Sequence, residues 1–206
     1  MLPAMDRDTA RQILEEHVQD PGLRRHMLAV EAAMRGYAAR LGHDPETWGL
    51  AGLLHDFDWE IHPTTEQHPK DGAPILRARG VPESVVRAIL AHNPAGSGVT
   101  PKAPMDFALA ASDELTGLII AATLVRPARD IRQIKVKSVK RNWKDKLFCA
   151  AVDRQEIVDH TEALSRACFD GELALWQHVG HVLEAMQTVA AALELDGRLA
   201  PPRAAG

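Results

Sequence analysis

Residues 50–60 read LAGLLHDFDWE, an apolar run ending on a histidine and an aspartate side by side, His55 and Asp56. The run has helical composition, so it delivers both polar side chains at the end of a helix whose other residues seek the core. An unpaired carboxylate in such a place is costly unless it meets a cation. Imidazole and carboxylate are also the groups that hold Fe, Mn, Zn or Ni. Working outward, His26 lies upstream, and His68, His92 and Asp113 lie downstream. Each falls in a segment that reads as helical. Asp113 follows FALAAS in a strongly apolar stretch.

The rest of the chain has the same period. Leu23, Met27, Val30, Met34, Tyr37 and Leu41 recur at alternating spacings of four and three, which makes one apolar stripe over 22–42. Asp44-Pro45 then reads as an N-cap followed by proline at the first helical position. Pro63 and two threonines mark a loop over 57–65, and helices are expected near 66–79 and 82–92. The stretch NPAGSGVTPKAP at 93–104 is a long polar loop. An apolar helix from about 104 to 125 ends before Pro127. Asp153 with Glu156 three residues on forms a capping pair for a helix over 154–168, and a last helix is expected over 172–195. Strand-like alternation is lacking. The sequence therefore predicts an all-α bundle in one domain, 1–206, with a core over about 20–126, a helical lobe over about 127–195, and a tail, 196–206, without fixed structure.

At 206 residues the chain is long enough to bury a substantial core, and 4% aromatic content favours helix over sheet. It has no Gly-rich phosphate loop and no Gly-x-Ser-x-Gly elbow, which argues against P-loop and serine-hydrolase chemistry. No run approaches the roughly 18–20 apolar residues of a membrane span, and MLPAMDRD lacks the features of a secretory leader. Cys149 and Cys168 suit a reducing compartment, so the expectation is a cytoplasmic protein with no membrane partner.

The net charge of −4 is unevenly spread, since residues 126–146 carry nine Lys/Arg against two Asp. Within this block Lys137, Lys140 and Arg141 sit at helical spacings. They read either as a solvated face or as contacts for a phosphorylated substrate. Lys102, in the loop before Asp113, and Arg25, beside His26, are further phosphate candidates. An acidic protein without interleaved aromatics argues against nucleic acid as a partner. Asp58 reads as an exposed loop acid, or else as a group that orders a ligand ring. Glu114 and Thr116 are expected at a pocket mouth, and His178 and His181, three apart, as structural.

The order His … His-Asp … His … His … Asp resembles the HD superfamily of metal-dependent phosphohydrolases, in its longer, potentially dinuclear form. Residues 22–195 are similar throughout, including HDFDWE, EQHPKDGAPIL, AHN, SDELTGLIIAATLVRP and KVKSVKRNWKDKLFCAAVDRQEI. The resemblance implies an HD-type bundle with His26, His55, Asp56 and Asp113 as the primary metal shell. It implies His68 and His92 as completing a second site, with Asp56 bridging and the His55-Asp56 pair at the catalytic centre. One or two divalent ions (Fe, Mn, Zn, Co or Ni) would activate water against a small, nucleotide-like phosphoester. The superfamily also contains mixed-valent di-iron oxygenases and non-catalytic metal-binding scaffolds, so the resemblance implies these as alternatives. Oligomeric state is not legible in the sequence.

Overall fold

A computed structural model describes residues 5–150 and 152–201. Ten α-helices follow one another, with no strand among the described residues. They are α1 (Arg7–His17), α2 (Pro21–Leu41), α3 (Pro45–Leu54), α4 (Ala73–Ala78), α5 (Glu83–His92), α6 (Pro94–Ser97), α7 (Pro104–Leu124), α8 (Val136–Trp143), α9 (Arg154–Cys168) and α10 (Leu175–Thr188). The all-α expectation holds, and an apolar cluster runs through the bundle from Ala10 to Leu195.

Helix starts follow the capping chemistry in the sequence. Asp20 accepts from Leu23 N and is followed by Pro21, and Asp44 accepts from Glu46 N and Thr47 N and is followed by Pro45. Met27, Val30, Met34 and Tyr37 of the predicted stripe are buried. The backbones of α2 and α3 pass very close together at Gly52, where an added Cβ would lie 2.7 Å from the Glu31 backbone. That contact fixes the angle at which α3 delivers His55. The α2–α3 corner is tied to α1 through buried Glu31, which accepts from Arg7 Nε at 2.6 Å and from Arg35 Nε at 3.0 Å.

Helix α7 packs against α2, α5 and α9. By length and composition it could cross a membrane, with a mean hydropathy of 1.5 over its most apolar window, although no run of unbroken apolar residues is long enough to suggest this. Most of that window is buried inside the bundle, as the core helix of a protein surrounded by other helices requires.

Several boundaries depart from expectation. The helix predicted over 66–79 is confined to Ala73–Ala78, because Pro69 offers no amide donor and Gly72 yields to a close contact described below. The last helix ends at Thr188, and the apolar residues beyond it, Leu193 and Leu195, are buried from a succession of turns. The loop over 93–104 contains the short helix α6, and α1 was not foreseen. The tail expected to lack structure is fixed over 196–201. Asp196 pairs with Asp130, Ile131 N donates to Leu195 O at 2.8 Å, and Arg129 Nη1 donates to Leu199 O at 2.8 Å. Residues 202–206 lie outside the described residues.

Candidate metal centre

The six side chains singled out in the sequence come together. His26 comes from α2, His55 and Asp56 from the end of α3, His92 from the last residue of α5, and Asp113 from the middle of α7. His68 comes from a run of turns, not from the helix expected there. They form two groups that share Asp56.

In the first group His26 Nε2 lies 3.1 Å from His55 Nε2 and 2.9 Å from Asp113 Oδ1, and His55 Nε2 lies 3.4 Å from both Asp113 Oδ1 and Asp56 Oδ2. In the second, His68 Nε2 lies 3.0 Å from His92 Nε2 and 3.1 Å from Asp56 Oδ1, with His92 Nε2 at 3.7 Å from the same oxygen. The two Asp56 oxygens therefore face different groups.

What each ring does with its other nitrogen decides the chemistry. His55 Nδ1 donates to Gly52 O at 2.9 Å, and His92 Nδ1 donates to Ile89 O. His68 Nδ1 donates to Asp58 Oδ1 at 2.7 Å. His26 Nδ1 meets Thr116 Oγ1 at 3.2 Å, and that hydroxyl already donates to Asp113 O at 2.9 Å, so the imidazole is the donor. All four Nδ1 atoms carry the proton, which leaves four Nε2 lone pairs converging on two carboxylates. Lone pairs facing each other at about 3 Å repel unless a proton or a cation lies between them. The donor set, imidazole nitrogen with carboxylate oxygen, suits Fe, Mn, Co, Ni or Zn.

Electrostatics point the same way. Burial alone would raise the Asp56 carboxyl, but the charge and hydrogen bonds of His55, His68 and His92 hold it well below the usual range. Asp113 is likewise depressed against burial by His55 and His26. Burial disfavours charge on His55, yet Asp56 and Asp113 outweigh it and hold the ring well above the ordinary value. His68 is opposed by burial and pushed up to about 9 by Asp56 and Asp58. The cluster draws in positive charge.

The group opens on a cleft of about 440 Å³ whose floor includes His26, Asp56, His68, His92 and Asp113. Trp59, Gly117, Glu114 and Glu156 contribute to its walls. At its rim Asn93 Nδ2 donates to Thr65 O at 2.9 Å and to His68 O at 2.6 Å, which holds the His68 turns against the end of α5. A larger hollow of about 600 Å³ beside Pro127, Asp130 and Gly197 carries no such cluster.

The HD domain family matches residues 23–123, a span that contains all six residues. Residues 23–123 are an HD domain. That family consists largely of metal-dependent phosphohydrolases. Neither curated proteins nor solved structures give a match. Within the HD domain, His55 is fully buried at the back of the cluster, whereas Asp56 reaches the cleft.

The basic residues expected to bind substrate are not brought to the HD cleft. Lys102, Lys137, Lys140 and Arg141 are exposed and none lines it. Lys140 Nζ instead lies 5.1 Å from the centre of the Trp176 ring, on the α8–α10 side of the bundle. Lys102 contributes its backbone amide to the Asp106 carboxylate at the start of α7. Arg25 is engaged by Leu193 O and Glu194, each at 2.8 Å.

Two supporting residues lie deeper than the sequence predicts. Asp58, read mainly as an exposed acid, is fully buried and orients His68. Thr116, expected at the pocket mouth, is buried and orients His26. The signal for Asp58 was its position two residues beyond Asp56, on a turn that folds back under the ligand. His178 is structural as expected. Its Nε2 donates to Ala111 O at 2.8 Å and its Nδ1 accepts from Tyr37.

Proposed function

We propose that the chain is a metal-dependent phosphohydrolase acting on a small phosphoester, with two divalent ions held at the cleft floor. One would be held by His26, His55, Asp56 and Asp113, the other by His68, His92 and Asp56. The observation that carries this reading is the convergence of four Nε2 lone pairs on Asp56 and Asp113, with every Nδ1 already committed. Divalent ions there supply Lewis acidity, which polarises phosphoryl oxygens and lowers the pKa of water toward neutrality.

The chain's own residues do the rest. Asp56, with one oxygen toward each group, sets the spacing of the two halves. Asp58, Thr116, Gly52 O and Ile89 O fix the ring orientations, so no reorganisation is needed when substrate arrives. His55 is sealed from solvent and acts as a ligand, with no substrate contact. In the reaction, a water oxygen bonds to phosphorus and gives up a proton, the ester P–O bond breaks, and the leaving alkoxide takes up a proton, so that water is exchanged for the alcohol.

The test is phosphate release from small phosphomonoesters by protein reconstituted with Mn, Fe, Co, Ni or Zn, each alone. Release that depends on metal and is lost in Asp56→Ala supports the reading. Oxygen consumption without phosphate release would move the reading to oxygenase chemistry on the same ligands.

A further inference from the structure

The cleft beside the metal centre carries two carboxyl groups that no described lysine or arginine meets. Glu114, next to Asp113 on α7, and Glu156, in the first turn of α9, both line it. Other acids withdrawn from water are paired: Glu31 with Arg7 and Arg35, Asp106 with Arg87, and Asp58 with His68. Among the described residues, Glu114 is the one acid removed from full exposure that has neither a hydrogen bond nor an ion pair. Among the described residues, no lysine or arginine lines the cleft. None lines the adjoining hollow of about 480 Å³ either, which shares His26, Trp59 and Gly117 with it.

A polyanion would set its outlying charges against Glu114 and Glu156 with no guanidinium or ammonium to compensate, and like-charge juxtaposition discriminates strongly between partners. A group that carries positive charge away from its phosphoryl end meets the opposite situation. We propose that Glu114 and Glu156 select a small phosphoester bearing a protonated amine, whose phosphoryl end faces the His/Asp floor and whose ammonium end faces the two glutamates. The inference rests on the phosphohydrolase reading for the phosphoryl end and adds the substrate class. Glu114 and Glu156 are specificity residues in it, and they take no part in the bond changes.

Three probes of similar size separate the possibilities: 2-aminoethyl phosphate, propyl phosphate and 2-carboxyethyl phosphate. Binding to the Mn-loaded full-length chain is measured by calorimetry, and phosphate release is followed in parallel. The expected order of affinity is amine, then alkyl, then carboxylate, with about a tenfold step from alkyl to amine. Glu114→Gln and Glu156→Gln should each bring the amine-to-alkyl ratio toward unity, with bound metal unchanged. Glu156→Gln is the cleaner of the two, because α9 carries none of the six cluster residues. Equal binding of the three probes, or an amine preference that survives both substitutions, overturns the inference. The predicted binding order without phosphate release keeps the inference and removes the hydrolase reading. Equal phosphate release from all three does the reverse.

Discussion

Asp58 holds the outer nitrogen of His68, with Nδ1 donating to Asp58 Oδ1 at 2.7 Å between two buried side chains. The opposite nitrogen of the same ring faces Asp56 at 3.1 Å. A carboxylate behind a ligating imidazole fixes its tautomer and strengthens it as a donor, and loss of such a partner typically costs about 10–100-fold in metal affinity. Asp58→Ala is therefore expected to weaken the ion held by His68 and His92 by about that factor, and to leave the His26 and His55 ion nearly unaffected. Stepwise metal titration by calorimetry separates the two.

Gly72 makes that arrangement possible. A Cβ at Gly72 would lie 2.3 Å from Asp58 Oδ2, closer than any side chain tolerates. Gly72→Ala should displace Asp58, reproduce the metal phenotype of Asp58→Ala, and destabilise the fold by about 1–3 kcal/mol through overpacking. Gly117→Ala is the control. Nothing lies within 4 Å of its added Cβ, and an alanine in a helix interior gains about 0.5–1 kcal/mol over glycine, so its melting temperature should rise.

Thr116 plays the corresponding part for His26. Thr116→Val keeps the shape but removes the acceptor for His26 Nδ1, so the first ion should weaken by about tenfold, whereas Thr116→Ser should retain it. Equal metal affinity in all three proteins, measured by competition with a chromophoric chelator, would remove Thr116 from the account.

His178 gives a pH signature away from the metal centre. Burial lowers it to about 4 from an ordinary 6.5, so the unfolded chain binds a proton that the folded chain refuses. Its contribution to stability is complete above the unfolded value and is lost as pH falls from about 6.5 toward 4, by about 3 kcal/mol at the lower limit. His55 and His68 of the cluster are shifted in the opposite sense, so the comparison is between wild type and His178→Gln by chemical denaturation at several pH values. The gap between the two stability curves should narrow on acidification through that window. A constant gap would show that His178 is not the group responsible.

Much of this was legible because it depends on local chemistry. The stripe from Leu23 to Leu41, the Asp-Pro helix start at Asp44, and the His55-Asp56 pair closing an apolar helix each state their structure within a few residues. The ligand order then resembles a known superfamily, and the fold brings those six residues together. What was not legible depends on tertiary contact. Asp58 looks like a loop acid until the turns after Trp59 bring His68 onto it. Lys137, Lys140 and Arg141 read either as a solvated face or as phosphate contacts until α8 is seen to pack away from the cleft. His68 falls in the span 66–79 expected to be helical, and Pro69 and Gly72 within that span break the helix.

The most direct test of the central claim is the metal content of each chain. It is measured by inductively coupled plasma mass spectrometry on protein purified without chelator and again after reconstitution, in wild type and His92→Ala. Two groups sharing Asp56 predict about two ions per wild-type chain and about one in His92→Ala, with the ion at His26, His55 and Asp113 retained. A wild-type chain that takes up no ion after reconstitution, or a single ion unaffected by His92→Ala, would contradict the dinuclear centre.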